Sequence, residues 1–97
     1  MPTYVVLANL TDQGARTMQD LPRRLANARQ TFETMGGQLQ QLFFAMGQYD
    51  YVVVAQAPDD ETMTRISLAV SGQGNVRTHT MRVFTEEEAL KLVEGFS

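Results

Sequence analysis

His79 is the only imidazole in a 97-residue chain that contains no cysteine. Disulfides, thiolate metal sites and a cysteine nucleophile are therefore excluded. A lone imidazole is also a poor nucleus for a transition-metal centre, which needs several nitrogen or sulfur donors, so no metal is expected. Arg77 stands two positions before it, and on a strand that spacing places Arg77, His79, Met81 and Val83 on one face. A planar guanidinium fork beside a group that titrates near neutrality can clamp an anion. The plainer reading is a polar pair at a subunit contact or on an edge strand. A second candidate is Gly47-Gln48-Tyr49-Asp50, where a phenol and a carboxylate follow a glycine at the mouth of a strand and offer an acid, a base or a ligand anchor. The structural alternative has Gly47 at positive φ and Asp50 accepting from nearby backbone amides. Strand alternation sets Tyr49 with Tyr51 and Val53, and Asp50 with Val52, on opposite sides, which argues against a Tyr–Asp dyad.

Other charged or glycine-rich stretches carry less. Arg16, Arg23, Arg24 and Arg29 cluster on and just before a helical segment, but the net charge is −3 and no aromatic residues interleave. They read as a solvated helix face pairing with acidic neighbours rather than a nucleic-acid footprint. Ser71-Gly72-Gln73-Gly74 runs from helix into strand, whereas a phosphate loop runs from strand into helix. Lys91, the only lysine, falls in a C-terminal helical segment, and nothing supports a Schiff base or a hydrolytic triad.

The elements that must position these residues follow from periodicity. Tyr4 to Leu10 is short and β-branched and predicts a strand, with Thr11 or Asp12 as the next N-cap. Met18, Leu21, Leu25, Ala28, Phe32 and Met35 form one apolar stripe at helical spacing. Pro22 is tolerated only in a first turn, so the main helix starts near Asp20 or Leu21, and Gly36-Gly37 ends it. Leu39 to Met46 and Tyr49 to Ala57 predict two strands joined tightly through Gly47-Gln48. Pro58-Asp59-Asp60-Glu61 opens a second helix whose inner face is Met63, Ile66, Ala69 and Val70, stopped by Gly72 and Gly74. Asn75 to Phe84 predicts a fourth strand. Thr85-Glu86-Glu87-Glu88 is a capping box, with Phe84 placed to staple onto Ala89, and it opens a short last helix. The order is β-α-β-β-α-β plus a helix: a single α+β, ferredoxin-like domain over residues 1–97.

The strand faces point to an assembly. A free-standing domain of this kind wets one side of its sheet, which should then be polar at alternate positions. Here the first three strands are apolar on both sides, and only the fourth, with Arg77, Thr78, His79, Thr80 and Arg82, is largely polar. Exposing that much apolar surface marks an interface, most simply with an identical chain about a two-fold axis.

Met46 to Glu61, M-G-Q-Y-D-Y-V-V-V-A-Q-A-P-D-D-E, resembles the signature of the GYD-domain family. Leu10-Thr11-Asp12-Gln13-Gly14 resembles that family's opening, and Gly74 to Thr78 followed by Arg82 to Glu88 resembles its close. The resemblance implies a dimeric α/β-barrel fold and implies no activity. A homodimer that binds a small apolar or anionic molecule between sheet and helices is the expected function. Arg77, His79, Tyr49, Asp50 and Phe44 are its candidate ligand contacts, in an apolar lining with Phe43, Met46, Tyr51 and Met81. These residues do not share one sheet face. No catalytic residue and no cofactor is assigned. The alternatives are a non-catalytic oligomerisation or interaction module and, by analogy of fold alone, a cofactor-free oxygenase or isomerase. Nucleic acid is not an expected partner of a chain with net charge −3, and neither is a membrane, because no apolar run reaches the roughly 20 residues of a span. Met1 to Tyr4 lacks the charged start of a secretory signal, so a cytoplasmic location is expected.

Overall fold

The computed structural model describes residues 1–96. Strand β1 (Thr3–Leu10) leads into a short helix α1 (Asp12–Arg16), a 3₁₀ turn (Met18–Asp20) and the long helix α2 (Leu21–Thr34). Strands β2 (Gln38–Phe44) and β3 (Tyr51–Gln56) follow, then α3 (Asp60–Ser71), β4 (Val76–Val83) and α4 (Glu86–Leu92). All three strand pairings are antiparallel, in the order β2-β3-β1-β4. That is the expected ferredoxin-like α+β arrangement with an added C-terminal helix.

Local chemistry sets the boundaries. The Thr11 hydroxyl caps α1 by accepting from the Gly14 amide at 3.1 Å. Pro22 occupies the first turn of α2, where its missing N–H costs nothing. The Asp59 carboxylate accepts from the Thr62 amide at 2.8 Å and caps α3. Hydrogen bonding from the Thr62 side chain first, and from this amide second, holds the Asp59 carboxyl below its usual range. At α4 the capping box is complete, with Thr85 and Glu88 each accepting from the other's backbone amide.

The core lies between the sheet and helices α2 and α3. Tyr4, Val6 and Ala8 of β1 and Tyr51, Val53 and Ala55 of β3 face the helices and are buried. Phe32 of α2 and Met63 and Ile66 of α3 close over them, Ile66 being only 1% exposed. Two expectations change here. Ala69 is exposed, so the inner face of α3 is Met63, Ile66 and the partly buried Val70. The β2–β3 connection is not tight: it runs from Ala45 to Asp50, closed by the Ala45 amide donating to the Asp50 carbonyl at 2.8 Å. Gly47 takes a φ of 111° within it, and Met46 is 99% exposed at its tip.

The opposite face of the sheet has no cover. Val5 and Leu7 of β1, Val52 and Val54 of β3, Phe43 of β2 and Met81 of β4 share it. Phe43 is 52% and Met81 46% exposed. Helix α4 buries none of its residues, and Leu90, Leu92 and Val93 stay exposed along it. The Phe84 ring lies half exposed with the Arg82 guanidinium 4.3 Å from its centroid.

Candidate functional site

The sequence-derived candidates divide between two places. Register on β1 sets Asn9 opposite Arg77 and Leu7 opposite His79, so these four side chains stand on the open face. Tyr49 joins them, its ring meeting the His79 imidazole edge-on at 5.9 Å. The alternation argument fails for Tyr49 because it precedes β3 and lies in the connecting turn, where strand periodicity does not apply. The Asn9 side-chain oxygen is buried and has no hydrogen-bond partner among the described residues. Arg77, His79, Tyr49 and Asn9 thus form one polar corner of this face, which also carries Thr3, Gln38, Gln41 and Gln56.

Asp50 and Phe44 are elsewhere. The Asp50 carboxylate accepts from the Leu10 amide at 2.8 Å, and its own amide donates to the Ala8 carbonyl at 2.9 Å. It ties the end of β1 to the start of β3, which is the structural reading weighed for it. Phe44 pairs with Tyr51 on the helix side and stacks on its ring at 4.8 Å, nearly parallel.

The second place is a cavity of about 100 Å³ between the sheet and the helix pair. Leu25, Ala28, Val53, Ile66 and Val70 supply apolar wall, and Tyr51 and Arg24 are among the polar exceptions, with Ser67, Gln73, Asn75 and Thr78. Arg24 is half-buried rather than solvated as expected for its cluster. Its guanidinium donates to the Gly14 carbonyl at 3.2 Å from both terminal nitrogens and approaches the Met18 sulfur at 3.5 Å. Arg23, by contrast, does pair outward, with Asp20 at 3.3 Å. Arg24 has no carboxylate partner among the described residues. Burial pushes the Tyr51 phenol upward, and the charge of Arg24 opposes that shift. Sequence reasoning placed Tyr51 in the pocket lining and missed Arg24. The signal was its register, three residues after Leu21 and four before Ala28, within the apolar stripe.

A close backbone approach is made at Asn75, one of the cavity-lining residues. A Cβ on Gly14 would fall 2.1 Å from the Asn75 carbonyl oxygen, so only glycine lets α1 sit against the α3–β4 connection. No cluster of three or more His, Cys, Asp or Glu that could hold a metal occurs among the described residues. No helix among them is long and apolar enough to cross a membrane.

Known proteins share this sequence and this geometry. The chain is 37% identical over 82 residues, 84% of its length and 86% of the relative's, to a Thermus thermophilus protein named glutamine synthetase and cystathionine beta-lyase binding protein. Its fold is similar to a feast or famine regulatory protein of M. tuberculosis solved with L-methionine, at a TM-score of 0.66 and 15% identity. That match covers 88% of this chain and 51% of the other, so the chain spans about half the length of the regulator. A crystal structure of a Thermus thermophilus protein matches over 88% of this chain and 95% of its own, with a TM-score of 0.58 and 20% identity. The GYD domain matches residues 4–93, and this chain is a member of the GYD domain family.

Proposed function

We propose that the protein is a homodimeric binding module, joined through the open face of its sheet, that holds a small apolar or anionic molecule between sheet and helices. The observation that carries the dimer is the uncovered apolar face of Val5, Leu7, Phe43, Val52, Val54 and Met81. Each such side chain contributes about 1.5–3 kcal/mol when fully buried, so a second copy of the same face gains much by covering it. The cavity supports the small molecule, being an apolar recess with few polar groups, the usual form of a ligand site. Within this reading Arg77, His79 and Tyr49 serve the subunit contact or an anion held there, and Asp50 and Phe44 support the pocket wall from outside.

A second reading has a specific observation behind it. The 37%-identical relative is named for binding two enzymes, and α4 of this chain exposes Leu90, Leu92 and Val93. Under that reading the dimer is an adaptor, and its apolar surfaces take other proteins rather than a small ligand. Native mass spectrometry of the protein purified without added ligand separates the two. A species at twice 10.9 kDa with a reproducible adduct supports the ligand-binding dimer. A dimer with no adduct moves the weight to the adaptor, and a monomer overturns the dimer in both.

A further inference from the structure

The cavity holds an asymmetry that its size alone does not explain. Its walls are mostly apolar, yet the lining includes Arg24, a half-buried cation with no carboxylate partner among the described residues. A charge withdrawn from water without an opposite charge is costly, and two neutral contacts, the Gly14 carbonyl and the Met18 sulfur, compensate it only in part. Arginine carries five N–H donors, so N–H groups remain after these contacts are made.

Three of the other polar side chains at the cavity are already engaged, and the Gln73 carboxamide is free of side-chain hydrogen bonds among the described residues. The Ser67 hydroxyl is bonded to Thr80 and the Thr78 hydroxyl to Ser71, each at 3.1 Å, and the Asn75 side-chain oxygen accepts from Gln13 at 3.1 Å. The Tyr51 hydroxyl forms no hydrogen bond among the described residues, and it lies close enough to Arg24 to feel its charge. A phenol donor and a guanidinium fork thus line the same largely apolar recess, and neither is paired with a carboxylate among the described residues.

We propose that this cavity binds a small monocarboxylate with an apolar tail, its carboxylate held by Arg24 and the Tyr51 hydroxyl and its tail lying between α2, α3 and the sheet. The inference rests on the ligand-binding reading above and names the ligand's chemistry. Size fits the class: one water-sized atom takes about 10–15 Å³ of such space, so roughly seven to ten atoms fill the cavity. A bidentate guanidinium–carboxylate pair is both the stronger and the more directional use of the free donors.

Calorimetric titration of the purified full chain with three probes of one carbon skeleton tests it: 4-methylpentanoate, 4-methylpentanamide and 4-methylpentan-1-ol. The acid binds at least about tenfold more tightly than the amide or the alcohol, because only it meets the guanidinium as an ion. Arg24→Gln removes the preference, bringing the acid to the level of the alcohol measured on the same variant. Arg24→Lys restores part of the preference, since an ammonium keeps the charge and loses the fork. If acid and alcohol bind the wild-type protein equally, the carboxylate assignment is overturned while the apolar pocket stands. If no probe binds, the small-molecule reading falls with it. Should Arg24→Gln fail to fold, the acid-to-alcohol ratio in the wild-type protein decides the matter alone.

Discussion

The two faces of the sheet are built from the same strands, yet they differ sharply in burial. On the helix side Val6, Val53 and Ala55 are closed over by α2 and α3. On the other side Val5, Val52 and Val54, one residue along in each case, are only partly covered, and Phe43 is half exposed. Alternation alone would make one of these faces polar in a sheet designed to meet water on that side. The contrast supports the proposed dimer, because the chain by itself closes over one face and leaves the apolar side chains of the other only partly covered. It also separates two kinds of substitution, those that unfold the protomer and those that only part the copies.

That separation can be broken or sharpened by experiment. The largest effect belongs to the helix side. Ile66→Ala, at the most enclosed large side chain, lowers unfolding free energy by about 2–5 kcal/mol. Urea titration checks this, and a loss below about 1 kcal/mol would mean that α3 packs more loosely than the geometry indicates. On the open face Leu7→Lys acts on association. It weakens the dimer by about 1.5–3 kcal/mol, roughly ten- to a hundredfold in Kd, and leaves circular dichroism of the protomer unchanged. Sedimentation velocity reads the shift, and a wild-type chain that sediments as a monomer removes the effect altogether.

A third comparison uses pH. Tyr4 is buried on the helix face and donates to the Asp60 carboxylate at 2.5 Å. Burial first, and this bond second, push its phenol up to about 12. The folded state thus holds the phenolic proton more tightly than the unfolded chain does. The stability this adds is fully present below pH 10 and is lost as pH rises from 10 toward 12. Tyr4→Phe flattens that alkaline limb by about 1–3 kcal/mol in unfolding experiments repeated across the window. An unchanged limb would assign the alkaline loss to other groups. The smallest effect is expected at Thr85→Ala, which removes the cap of a helix that buries nothing. Local helicity of α4 falls, while the global stability moves by less than about 0.5 kcal/mol. A larger change would show that α4 packs on the protomer core in solution.

The fold was largely legible because its signals are local and periodic. The stripe from Leu21 to Phe32, the glycines after it and the Thr85–Glu88 box each act within a few residues of themselves, so no tertiary knowledge is needed to read them. The candidate site was less legible, for physical reasons that differ by residue. Tyr49 lies outside β3, and the period-two rule has no force in a turn. Asp50 takes its role from the amide of Leu10, forty positions away, which only the pairing of β1 with β3 brings near. Arg24 was grouped with its solvated neighbours because charge type outweighed register, although its place beside Leu21, Leu25 and Ala28 gave it an inward direction. The length of the β2–β3 turn escaped because Phe44 to Met46 continue an apolar run past the last ladder pair, Phe44 with Tyr51.

The capping box of α4 has a further consequence for how the chain moves. Its seven residues are organised by their own first turn and by the Glu87–Lys91 approach at 4.0 Å, with no buried side chain to anchor them. Isolated helices this short are marginal in water. The backbone amides of α4 therefore exchange their hydrogens by local opening, many orders of magnitude sooner than those of β1 and β3, which wait for the whole sheet to come apart.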